Sequence, residues 1–201
     1  MNRLIIVGAS GHGKVVADIA KMTGYEDIVF LDNDSKITSC EGYPVLGPDN
    51  NIGMFDGDVF VAVGNASVRR RIMEREKNRH FPILIHPSAI IAESVEIGAG
   101  TVVVAGTVIN PGVSIGKGCI VNTSSSIDHD CVIGDYTHVS VGAHLCGTVV
   151  IGKENWIGAG AIISNNHSIC DGCIIGAGAV VVNDLDEPGT YFGVPAKRKA
   201  E

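Results

Sequence analysis

The chain has 201 residues, 18% of them charged, with a formal net charge of -7 at pH 7. That acidity is the wrong sign for gripping nucleic acid or an anionic membrane surface. No apolar run reaches the roughly 18–20 residues of a membrane span, and the opening MNRLIIV reads as a first strand rather than a secretory leader. The expectation is a cytoplasmic protein with no nucleic-acid partner and no membrane insertion.

Residues 1–84 read as a βαβ unit with a parallel sheet. A buried strand over 4–7 runs into the Gly-rich loop GASGHG, and a helix over 14–22 is closed by Gly24. A second strand over 28–31 ends in Asp32-Asn33-Asp34. A third over 59–63 is followed by Gly64-Asn65 and a basic helix over 67–77. Backbone N–H groups of a Gly-rich loop at a helix N-terminus suit an anionic pyrophosphate, although this spacing is not G-x-G-x-x-G and the glycines could serve only a tight turn. Asp32, at the end of the next strand, sits where a carboxylate would reach a ribose or base. Some 84 residues hold roughly half of a doubly wound fold, so a nucleotide-linked substrate fits better than a complete NAD domain.

From Ile85 the grammar changes. Every sixth residue through Val181 is Ile, Val or Leu without a break. That period matches neither a helix nor a plain strand, and it is the signature of a parallel β-helix. Each hexapeptide would make one short strand and one corner, with three closing a triangular coil and the aliphatic side chain pointing inward. Seventeen units give between five and six coils. The fifth position is mostly small, and Cys119, Cys131 and Cys173 occupy it as space-fillers. Cys170 and Cys173 form a C-x-x-C without a second ligand pair, so no metal is expected. The repeat stops at Asn183-Asp184, and the tail ends in GVPAKRKAE, whose Lys197, Arg198 and Lys199 are open to CoA phosphates or to solvent.

IIVGASGHGKVV, FLDND, VAVGN, LIHPSA, NTSSSIDHDCVIGDYTHVSVGAHLCG and GVPAK together resemble the bacterial sugar acyltransferases related to sialic acid O-acetyltransferase. The similarity is greatest to the UDP-amino-sugar N-acetyltransferases of bacillosamine synthesis, and it covers nearly the whole chain. The resemblance implies an α/β half-Rossmann domain (1–84), a left-handed parallel β-helix (85–186) and a C-terminal tail (187–201). It implies a homotrimer with acetyl-CoA as co-substrate between adjacent β-helices, and a nucleotide-sugar substrate. It implies His129 as general base, Asp130 (Glu in the bacillosamine enzymes) raising its basicity, and Asn122 near the base. His138 would hydrogen-bond the acetyl-CoA, Gly147 would offer its N–H to the thioester oxygen, and Ala159 and Ala177 would lie along the pantetheine arm. Ser10, Gly11 and His12 match the phosphate loop, Asp32 and Asn33 a pair contacting the nucleotide, and Gly64 completes the substrate set.

The spacing supports part of this independently. His129 and Gly147 are eighteen residues apart and should stack on one edge of adjacent coils, as a proton acceptor and an oxyanion donor flanking one carbonyl require. His138 is half a coil from His129, so both would enter one site only across a subunit boundary. His12, His80, His86, His144 and His167 read as structural rather than catalytic, with His12 also open to substrate contact. Transfer to an amine or to a hydroxyl both fit the frame. Two rivals come from other classes. A γ-type carbonic anhydrase needs two histidines five apart, and no pair here has that spacing. A non-catalytic nucleotide-sugar-binding protein would have no use for His129-Asp130 beside Asn122 and His138.

Overall fold

A computed structural model describes residues 3–199, and the chain divides between Pro87 and Ser88 into two compact units. In the first unit, β1 (Arg3–Val7) leads into α1 (Gly11–Met22) and β2 (Asp27–Leu31). A short hairpin follows, β3 (Ser39–Cys40) and β4 (Tyr43–Pro44), then a 3₁₀ turn (Asp49–Met54), β5 (Asp58–Val61) and α2 (Ala66–Arg75). The parallel sheet has the order β2-β1-β5. Continuous runs such as Leu4-Ile5-Ile6, fully buried, are what a parallel sheet covered on both faces demands. α1 begins three residues before the predicted start because Ser10 takes extended backbone at the N-cap and the chain turns helical at once. The hairpin and the 3₁₀ turn escape a reading based on apolar periodicity. Two-residue strands joined by a turn with positive φ at Glu41 and Gly42 carry no periodic signal.

The second unit is a parallel β-helix of about six stacked coils. From Ile90–Ile91 to Val180–Val181 the chain makes two-residue strands, and the second residue of each is the aliphatic member of the hexapeptide. From Val103 onward these second residues are all buried. Strands eighteen residues apart pair in parallel, as Val108↔Ser126 and Ser126↔His144 do on one face. A second face carries Val132↔Val150 and a third His138↔Trp156.

A residue with positive φ recurs at each corner every sixth position from Gly100 to Gly178. Most are glycine, but Asp130 holds this conformation at φ 58, where an L side chain costs about 1–2 kcal/mol. Cys119, Cys131 and Cys173 are buried corner-fillers, their exposures 1%, 0% and 0%. Thr101, Thr137 and Asn155 extend the same interior, linking coils through Cys119 N–H to Thr101 Oγ1 and Cys173 N–H to Asn155 Oδ1.

The C-terminal segment forms two short strands, and Lys197, Arg198 and Lys199 remain exposed. Thr190–Phe192 joins the third face beside Ile174–Ile175, and Lys197–Arg198 returns antiparallel to it. Arg198 forms an ion pair with Glu187 and donates to the Pro188 carbonyl at 2.9 Å. Strands of three and two residues outside the hexapeptide repeat carry no periodic signal in the sequence. Ala200 and Glu201, the end of the predicted tail, lie outside the described residues.

Candidate active site

In the first unit the Gly-rich loop is built by close approach. A Cβ on Gly8, which has φ +106, would lie 2.8 Å from the Ala62 carbonyl oxygen, and one on Gly13 would collide with the Gly8 carbonyl. Only glycine lets β1, the loop and α1 pack this tightly. Ser10 and Gly11 are exposed at the start of α1, and the Ser10 side chain makes no cap hydrogen bond. The amides of that first turn point to where an anion would bind.

Asp32 has a structural part besides the one its position suggests. Its Oδ2 accepts the Ala9 N–H at 2.7 Å and its Oδ1 the Asp34 N–H at 2.9 Å, so the carboxylate fastens two loops together. Asn33 Oδ1 accepts the Asp49 N–H at 3.1 Å, which leaves its amide nitrogen as a donor. Asp32 and Asn33 line two adjoining cavities of about 180 and 300 Å³, the first bounded also by Gly8 and Val63, the second by Thr38 and Pro48. A larger cavity of about 410 Å³ lies by Lys14, Asp18 and Tyr43 and contains none of the predicted residues.

Sequence reading missed Arg69. Its side chain is fully buried and donates through Nη1 to the carbonyls of Val63 (2.7 Å) and Gly64 (3.1 Å). Burial first, and the Arg69 charge second, lower the pKa of His12 to about 4. The imidazole at the Gly-rich loop is therefore neutral at physiological pH. The position of Arg69 within a basic, amphipathic helix gave no sign that this arginine faces inward.

In the second unit the predicted residues fall on two edges of the prism. The edge between the first and second faces carries His129, Asp130 and Gly147. His129 Nδ1 meets Asp130 Oδ2 at 2.9 Å, and Asp130 reaches back because of its left-handed backbone. Asn110 Nδ2 donates to Asp128 Oδ1 at 2.7 Å, and that oxygen also accepts the His129 N–H at 2.8 Å. These two bonds hold the Asp128 pKa below the usual carboxylate range. The hydrogen bond to Asp130, with the Asp128 charge adding to it, raises the His129 pKa above 6.5. The other ring nitrogen, Nε2, faces Gly147 on the next coil. The Gly147 N–H donates to no acceptor among the described residues. A base with its Nδ1–H anchored on a carboxylate and an unengaged backbone donor thus occupy one exposed edge. That pair can take a proton from a nucleophile and stabilise an oxyanion.

The edge between the third and first faces carries the rest. Asn122 is here, with Nδ2 at 3.1 Å from His138 Nε2. Within one chain it therefore serves His138 and not His129, where the nearby asparagine is Asn110. Trp156 stacks on His138, ring centroids 5.6 Å apart. Ala159 and Ala177 are exposed corner residues on successive coils, linked by the Gly178 N–H to the Ala159 carbonyl at 2.9 Å. Their own N–H groups have no acceptor among the described residues. An exposed strip of small residues with free amides fits an extended chain of alternating amides such as pantetheine.

The remaining histidines have local partners. His80 meets Asp58 at 2.8 Å, His144 meets Ser126 Oγ at 2.8 Å, and His167 meets Asp184 at 3.2 Å. Among the described residues no helix is long and apolar enough to cross a membrane.

Known proteins share this fold. Residues 3–75 match the PglD N-terminal domain. The acetyltransferase domain of PglB from Neisseria gonorrhoeae FA1090 is 40% identical, with a TM-score of 0.95 over 99% of this chain and 100% of that one. It has also been solved in complex with acetyl coenzyme A. PerB from Caulobacter crescentus, in complex with CoA and GDP-perosamine, is 33% identical with a TM-score of 0.95, covering 100% of this chain and 98% of that one. The UDP-N-acetylbacillosamine N-acetyltransferase of Bacillus subtilis (strain 168) is 35% identical over 114 residues, a match that spans about half of that protein's length (52%).

Proposed function

This chain belongs to the bacillosamine-type N-acetyltransferases, and we propose that it moves the acetyl group of acetyl-CoA onto the amino group of a UDP-linked 4-amino-deoxy sugar. The observation that carries the reading is the edge where His129, fastened to Asp130, faces Gly147. The relatives support the amine as acceptor, since their names specify GDP-perosamine and UDP-N-acetylbacillosamine. The Gly-rich loop, His12 and the cavities at Asp32 and Asn33 are the features that would take the nucleotide.

In this reading the sugar amine attacks the thioester carbonyl. His129 Nε2 takes the proton from the nitrogen, the Gly147 N–H holds the developing oxyanion, and the C–S bond breaks to release CoA. No acyl-enzyme is formed. Cys146, next to Gly147, has no base within the described contacts to activate it. The free amides of Ala159 and Ala177 would hold the pantetheine arm.

The two edges flank the same face of one prism, so a single chain cannot bring His129 and His138 to one thioester. A ring of three identical prisms would set each chain's His129 edge against the next chain's His138 edge, and closing that ring completes three sites. We therefore read the active form as a homotrimer.

The test is CoA-thiol release from acetyl-CoA against UDP-, GDP- and dTDP-linked 4-amino sugars and sialic acid, alongside mass by light scattering. Turnover with an amino sugar on a trimer is expected. Acetylation of a hydroxyl acceptor alone would replace the amine assignment. Full activity of a monomer would overturn the shared site.

A further inference from the structure

We infer that Asn122 and Trp156 are positioning residues that lock His138 as an Nδ1–H hydrogen-bond donor. The inference rests on the proposed acetyl transfer for its purpose, but the geometry stands within one chain. Asn122 Oδ1 accepts the backbone N–H of Thr123 at 2.9 Å. A backbone N–H can only donate, so the amide cannot be turned the other way without setting two donors against each other. Its nitrogen is thereby fixed toward His138 Nε2, 3.1 Å away. Nε2 must accept that bond, and the ring proton sits on Nδ1.

The plane of the ring is set by a separate contact. Trp156 lies in register with His138 on the next coil and stacks on it at an interplanar angle of 20°. The indole is itself tied down, Nε1 donating to Ser140 Oγ at 2.8 Å. Trp156 is 50% exposed, an unusual place for a tryptophan on a surface with so few aromatics. Within one chain the indole's contacts are the His138 ring and Ser140 Oγ, so it clamps the imidazole. One contact fixes which nitrogen carries the proton and the other fixes where the ring points, with Nδ1 itself covered from solvent within one chain.

Histidine-selective ¹⁵N NMR on the assembled protein, with the resonance assigned by His138→Gln, tests the tautomer without reference to activity. A protonated Nδ1 and a bare Nε2 are expected, and a protonated Nε2 would overturn the inference. Asn122→Asp replaces the donor by an acceptor, and should move a proton onto Nε2.

Kinetics test the clamp. Trp156→Ala should lower kcat/KM for acetyl-CoA about tenfold, with circular dichroism and assembly mass unchanged, and Trp156→Phe should restore it to within about threefold. If kcat/KM stays within twofold in both Trp156→Ala and Asn122→Asp, neither residue positions anything. Should Trp156→Ala fail to fold, Trp156→Phe and Asn122→Asp still carry the test through the ¹⁵N signals. An Nδ1–H tautomer in a protein that acetylates no amino sugar would sink the proposed function and leave the tautomer assignment standing.

Discussion

The imidazole of His129 lies against the α-carbon of Gly147, so close that a Cβ on that carbon would sit 2.5 Å from Nε2. The backbone of Gly147 is outside the left-handed region and would accept alanine, so it is His129 alone that requires glycine there. Gly147→Ala should therefore displace the imidazole and leave the coil intact. The expected result is a loss of kcat of about tenfold or more with an unchanged melting temperature. Full activity would show that His129 does not work in the orientation seen here.

His129→Ala removes the proposed base outright. A positioned general base contributes about 10²–10⁴-fold, and the loss in kcat should fall in that range with the assembly mass unaltered. A loss below about threefold would refute the assignment.

Asp130→Asn keeps the shape of the side chain, and asparagine tolerates the left-handed backbone at φ 58. It removes the main reason that the His129 pKa lies above 6.5. Because the carboxylate favours the protonated ring, its loss lowers that pKa. The acidic limb of kcat/KM should move to lower pH, and the plateau should fall as the base weakens. An acidic limb that stays in place would mean that a different group titrates.

His12 makes the opposite kind of prediction. Its pKa is lowered in the fold, from 6.5 to about 4, by burial and the Arg69 charge. The unfolded chain thus binds a proton that the folded chain refuses. Stability should be unaffected by this group above about pH 6.5 and should decline as the pH falls toward 4, by up to about 3 kcal/mol in total. Urea unfolding of wild type and His12→Gln across that range checks it. A pH dependence that is the same in both proteins would show that His12 is not the group responsible.

The β-helix was legible in the sequence because its core is one-dimensional. Each coil buries its aliphatic residue against the coil above and below, so the period alone locates every strand from Ile90–Ile91 to Val180–Val181. The stacking of His129 on Gly147 follows from the same eighteen-residue turn. What the period could not reveal is which neighbours a side chain finds around an edge. Asn122 was paired with the base through family resemblance, yet within the chain its amide meets His138. The position of Asp32 suggests a ribose ligand, and only the fold shows that its two oxygens also hold backbone amides. Arg69 and Trp156 were passed over because nothing in their local sequence distinguishes an inward guanidinium or a stacked indole from ordinary surface residues.

The order of residues thus determined the architecture, the two edges and the histidine that faces an unengaged amide, since a strict repeat converts spacing directly into height along the prism. Three-dimensional packing alone decided the proton on His138, the neutrality of His12 and the grip of Asp130 on His129. Those properties depend on hydrogen-bond direction and burial over a few ångströms, and neither is a function of position in the chain.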